Sequence, residues 1–246
     1  MANKTYKAIV LRAVKYGEQD KMLTLFTLEG GKMSAVAKGA QSARSKFLGS
    51  SQSYCFGEYV LSESLKMPYL SSAEVINGFK GIGRDIRLLC AAAYICEIIT
   101  VAFEEASEDR SAFMLLYHSL KLLEGCPGEK SLVLSTAFAL KMLGINGSYP
   151  ALDRCVNCGK VGEDYFFSPK EGGIVCADCV SAEGLAILTA SQGLYLFDLL
   201  FCGMDKILSL NAPSGQEQKY LFKQINNYLV YTLGKNIKSF EMLYQL

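Results

Sequence analysis

The sequence predicts an α+β multidomain protein. It consists of a five-stranded barrel over residues 1–80, then an all-helical domain over residues 81–246 with a cysteine-rich module, residues 150–182, inserted within it. Three observations predict this. Apolar and polar residues alternate through the first 80 residues, the period becomes helical from Asp85 onward, and two Cys-x-x-Cys pairs interrupt the helical part. At 246 residues and 50% hydrophobic, the chain can bury a large core.

The strands come first. TYKAIVLRAVKYG alternates, KMLTLFTLE does so less cleanly through Met22, Leu25 and Phe26, and Glu29-Gly30-Gly31-Lys32 supplies a hairpin turn into KMSAVAKG. YCFGEYVLSESLK and the segment around SSAEVINGFK add two more candidates. Five strands in so short a span favour a closed barrel, which leaves no exposed sheet edge. A five-stranded OB-fold is the natural candidate, and its usual ligands are single-stranded nucleic acid or oligosaccharide.

The helices follow. Asp85 to Phe103 is apolar on nearly all sides, as a helix surrounded by others would be, and Asp109 to Glu124 carries a one-sided stripe of Phe113, Leu116, Leu120 and Leu123. The single histidine, His118, lies off that stripe and receives no role. Gly78, Gly81 and Gly83 lack phosphate-loop spacing and read as a joining turn. A further helix runs from Ser131 to Leu143. Thr189 with Gln192, and Ser214 with Glu217, are capping-box pairs that each start a helix. The second of these helices carries an apolar stripe from Leu221 to Leu233.

Cys155 and Cys158 are followed after seventeen residues by Cys176 and Cys179. This is the spacing of a four-thiolate zinc site, in which two tight knuckles aim four sulfurs at one ion. Gly159, Gly172 and Gly173, with the strand-like Tyr165 to Phe167 between the knuckles, fit a two-knuckle ribbon. Four cysteines saturate the ion, so its expected role is structural rather than catalytic. A spacing that arose by chance or has lost its metal is one competing reading, and disulfides are the other. They require an oxidising compartment, and MANKTYKAIVLRAV lacks the long apolar run of a secretory leader. Cys55, Cys90, Cys96, Cys126 and Cys202 read as buried thiols, and no apolar run reaches membrane-spanning length, so a reducing cytoplasm is expected.

The net charge of +1 conceals an asymmetry: residues 1–80 hold 11 Lys/Arg against 6 Asp/Glu. Between Glu29 and Glu58 lie Lys32, Lys38, Arg44 and Lys46 and no acid, within a small-residue loop. Such a loop fits either phosphate contact or ordinary solvation. If each cation meets one phosphate of a single strand, log K should fall against log salt with a slope of about −3. Tyr54 or Phe56 could stack on bases or pack in the core. No Walker A loop, GxSxG elbow or zinc-deaminase signature is present, so no enzymatic activity is expected.

As a set, TYKAIVLRAVKYGEQDKMLTLFTLEGGKMSAVAKGAQSARSKF, LGINGSYPALDRCVNCGK and YFFSPKEGGIVCADC, in this order, resemble the bacterial DNA repair family RecO over essentially the whole chain. The resemblance implies an OB-fold, a helical domain and, in many members, a zinc module. It also implies binding of single- and double-stranded DNA, annealing of complementary strands, and, with RecR, replacement of single-strand-binding protein by the RecA recombinase. The acidic, apolar tail of single-strand-binding protein would dock on the helical domain, where Lys121, Lys130 and Lys141 are candidate edges. A zinc-ribbon RNA-binding accessory factor of ribosomes or transcription is the competing class.

Overall fold

The computed structural model describes residues 3–62, 67–162, 164–181 and 185–246. Residues 63–66, which end the fourth predicted strand, and Glu163 and Ala182 of the cysteine-rich module lie outside the described residues. The chain forms two compact units, Met1–Gly125 and Cys126–Leu246.

In the first unit, β1 (Asn3–Tyr16), β2 (Asp20–Thr27), β3 (Gly31–Ala37), β4 (Phe56–Ser62) and β5 (Tyr69–Asn77) close in the order β1-β2-β3-β5-β4, with β4 returning to β1. This is the OB-type barrel expected from the alternation. The long β1 serves two neighbours because its register shifts between Val10 and Arg12, which bends the strand from β4 towards β2. Closure between β3 and β5 is slight: one parallel pair, Val36 with Tyr69, and the Val36 amide donating to the Pro68 carbonyl. Ala8, Val10, Leu23, Leu25, Ala35, Ala37, Leu61 and Leu70 fill the barrel. The alanines leave room for Tyr59, fully buried, whose hydroxyl donates to the Ser50 carbonyl at 2.8 Å.

Gly31 is one glycine that the β2–β3 turn requires. Its φ is +66°, and a Cβ there would stand 2.2 Å from the Ser107 carbonyl oxygen. Thr27 closes the turn, its hydroxyl accepting from the Gly30 amide and donating to the Gly31 carbonyl.

Two helices complete this unit, so by compactness they group with the barrel rather than with the later helices. α1 (Ile86–Ala102) is buried nearly all round, and α2 (Arg110–Gly125) buries Phe113, Leu116, Leu120 and Leu123, the predicted stripe. His118 is exposed beside Tyr117, off that stripe. The glycine turn is a 3-10 turn, Lys80–Arg84, seated on the end of α2, where Gly81 donates to the Glu124 carboxylate. On the outer barrel wall the Phe26 ring lies 5.1 Å from Phe103, and Phe56 lies 5.0 Å from Tyr117.

In the second unit the almost wholly buried α3 (Ser131–Ile145) packs against α4 (Ala190–Phe201) and α5 (Gly215–Leu233), and α6 (Ser239–Tyr244) packs on α5. Both predicted capping boxes are formed, at Thr189 and Ser214. The cysteine module contributes β6 (Asp164–Ser168) and β7 (Gly173–Val175). A strand the sequence did not announce, β8 (Ala186–Thr189), pairs with β6 and leads straight into α4. The ribbon is thus fastened to the helices by a three-stranded sheet, β7-β6-β8, and by the Phe167 ring, 5.6 Å from Tyr228 of α5.

Candidate functional site

Each Cys-x-x-Cys pair forms a knuckle through local hydrogen bonds. The Gly159 amide donates to the Cys155 carbonyl at 2.9 Å, which needs the φ of +73° that glycine adopts freely, and the Cys179 and Val180 amides donate to the Cys176 carbonyl. The strands between hold the knuckles face to face. The Val156 amide donates to the Ile174 carbonyl, and Ala151 is zipped to Gly172 and Ile174 on either side of Gly173. The result brings all four sulfurs within 4.8 Å of one another, with Cys158 and Cys176 Sγ 3.7 Å apart.

These distances fit a metal. A tetrahedron with Zn–S bonds of 2.3 Å has edges of about 3.8 Å, whereas a disulfide closes to about 2.05 Å. All nine cysteines are free thiols. The electrostatics point the same way. Burial alone would raise the Cys155 thiol, but amides of Cys176, Cys158 and Asn157 donate to its sulfur and bring it down to about 6. Cys179 is pushed up to about 12 by its hydrogen bonds to Cys158 and Cys176 and by burial. Four crowded sulfurs cannot all ionise unaided. A divalent cation at their centre relieves that conflict. Lys160 and Asp178 pair at 2.9 Å across the knuckles, so Lys160 is an exposed structural partner of little energetic weight.

The four candidate phosphate contacts do not act alike. Lys32 is half-buried, and its Nζ donates to the Thr100 carbonyl at 2.7 Å in the last turn of α1, capping that helix. Lys38, Arg44 and Lys46 are exposed. Lys38 Nζ lies 5.2 Å over the Tyr69 ring, and Lys46 Nζ donates to the Ser71 carbonyl at 3.0 Å. Two of the four therefore meet at the start of β5. The strand register adds a row that sequence reasoning passed over: the exposed Lys15 pairs with Lys21, whose half-buried ammonium donates to the Ser51 hydroxyl at 3.3 Å, and Lys21 pairs with Ala37, next to Lys38. The row was hidden because cross-strand neighbours are far apart in sequence. Tyr54 and Phe56 are packing residues. Phe56 contacts Phe113 and Tyr117, and Tyr54 is half-buried, with burial pushing its hydroxyl pKa up.

Lys121 belongs to the first unit, and Lys130 and Lys141 to the second. Lys141 is half-buried, donating to the Leu200 and Cys202 carbonyls at the end of α4, so it caps that helix. Burial lowers its pKa. Beside it the second unit exposes an aromatic patch in which Tyr149, 53% exposed, and Phe197 flank Phe201, 58% exposed.

A small OB-type barrel with a cationic rim, joined to a helical unit carrying a four-cysteine centre, defines the class. The profile of the recombination protein O N-terminal domain matches residues 1–79, and that of its C-terminal domain matches residues 83–241. The chain belongs to the recombination protein O family, RecO. It is similar to the DNA repair protein RecO of Clostridium novyi, 30% identical over 96% of this chain and 91% of the relative. Those of Desulforamulus reducens and Bacillus subtilis are 34% and 31% identical, covering 99% and 98% of this chain and 95% and 93% of the relatives. Among the described residues, no helix is long and apolar enough to cross a membrane.

Proposed function

We propose that this chain is a non-enzymatic mediator of DNA repair and recombination that binds single- and double-stranded DNA and anneals complementary strands. The single observation that supports this most is the set of exposed cations on the barrel, where Lys38 and Lys46 converge on β5 and Arg44 and Lys15 face solvent. Neutralising phosphates there releases counterions without reading bases, so binding is salt-sensitive and nearly sequence-blind. Phosphate repulsion between two partly neutralised strands falls, which favours pairing.

In this reading the four cysteines hold one structural Zn2+ that orients the ribbon, and Cys155, Cys158, Cys176 and Cys179 are its ligands. The working compartment is the reducing cytoplasm, in which the thiols stay unpaired. With RecR the protein would help RecA replace single-strand-binding protein. The acidic, apolar tail of that protein suits the Tyr149–Phe201 patch, whose exposed rings offer an apolar anchor. The test is fluorescence-monitored annealing of complementary DNA oligonucleotides, with and without single-strand-binding protein and with matched RNA as competitor. Acceleration that fades with salt is the expected result. No acceleration at low salt, or a marked preference for RNA, overturns the reading.

A further inference from the structure

We infer that the outward face of α5, together with Lys170 of the ribbon, is a second surface for single-stranded nucleic acid. This rests on the DNA-binding reading above and adds a site to it. α5 buries Leu221, Phe222, Ile225, Tyr228 and Leu229. At 100° per residue, the opposite arc, about 120° wide, carries the exposed Lys223, Asn227 and Tyr231, the half-buried Lys219, and Tyr220, whose hydroxyl donates to the Ile187 carbonyl of β8; Gln216 and Val230 lie among them. Cations and aromatic rings interleave along it, and no carboxylate lies on it. Glu217 falls off the arc and is held by Ser214 and Gln192. Neither Lys219 nor Lys223 forms an ion pair among the described residues, and Lys223 Nζ lies 6.0 Å over the Tyr244 ring.

The end of the stripe opens on a cavity of about 280 Å³ between the ribbon and α5. Tyr231, 58% exposed, lines one wall, Val175, Val180 and Leu185 supply apolar surface, Lys170, Glu171, Ser168 and Ser181 supply polar groups, and Cys179 of the four-cysteine cluster forms part of the wall. This is smaller than a drug-sized pocket and suits one flat group such as a nucleobase. A strand laid along α5 would place phosphates against Lys219, Lys223 and Lys170. One base would stack on Tyr231, and its exocyclic amine could donate to the Glu171 carboxylate. Annealing on a single chain calls for two strands to be held at once, and a second cationic, aromatic surface outside the barrel would let one chain do so.

The test uses the full-length protein and short labelled DNA oligonucleotides. Wild type should bind two strands per chain, and a Lys219→Glu, Lys223→Glu, Tyr231→Ala variant only one. The variant should hold that first strand within about twofold of wild type yet anneal at least tenfold more slowly. Tyr231→Ala alone should weaken the second binding event roughly five- to a hundredfold, and Tyr231→Phe should not. A wild type that binds no DNA would sink the functional reading itself. A wild type that binds and anneals while the triple variant matches it in stoichiometry and rate overturns only the α5 site. Should the triple variant melt early, photo-crosslinking of wild type to an iodouracil-bearing strand decides the matter. An adduct on Tyr231 is expected, and an α5 face that yields none, or that takes up only an acidic peptide, overturns the inference.

Discussion

Replacing Lys32 with methionine separates a structural cation from the proposed DNA-binding ones. The Lys32 ammonium donates to the Thr100 carbonyl at 2.7 Å in the last turn of α1, a half-buried contact between a charge and an unsatisfied helix carbonyl. A charge-assisted hydrogen bond of this kind contributes about 1.5–3 kcal/mol, and the helix dipole adds about 0.3–1 kcal/mol in the same contact. Lys32→Met keeps the apolar stem and loses the bond, so it should cost about 2 kcal/mol. For a cooperative unit the size of Met1–Gly125 this lowers Tm by roughly 5–10 °C. The assay pairs thermal melting with DNA binding across a salt series. Lys32→Met should melt early with an unchanged salt slope. The Lys38→Ala, Arg44→Ala, Lys46→Ala variant should melt normally while its slope loses about 2, because three exposed cations remain of the four first considered. Unchanged melting of Lys32→Met together with a slope smaller by about 0.7 would show that its ammonium meets phosphate, and the assignment would be wrong.

Metal analysis of the folded protein should find one zinc per chain, and Cys176→Ser or strong chelation should loosen residues 155–179 before the helices. Hydrogen exchange at the Gly159, Cys179 and Val180 amides reads this directly, and folded protein holding well under one zinc contradicts the four-thiolate assignment. Asp85, the N-cap of α1, is held below the usual carboxylate range by its hydrogen bond to the Arg87 guanidinium and then by the Arg87 amide. A depressed carboxylate stabilises the fold above its unfolded pKa and loses that contribution as pH falls through the folded value. Melting followed from pH 6 to pH 2 should therefore drop below about pH 4 in wild type and less steeply in Asp85→Asn. Parallel curves for the two would refute the contribution.

What could be read from the letters was local. The alternation of β1 to β5, the all-round apolar α1, the capping boxes at Thr189 and Ser214, and the Cys-x-x-Cys pairs all express near-neighbour physics, whether pleat, helical period, capping or knuckle. They sufficed for the fold class, for the exposed His118 and for the four cysteines that fold into one cluster. β8 escaped because four residues carry little pattern of their own, and its strand character comes from pairing with β6. The fates of the lysines escaped for a different reason. Charge composition is a property of sequence, but whether an ammonium meets solvent or a helix carbonyl depends on which element folding brings to it. Thr100 lies sixty-eight positions from Lys32, and Leu200 lies fifty-nine from Lys141, so only the tertiary structure could assign those two to helix ends while leaving Lys38, Arg44 and Lys46 exposed at the surface.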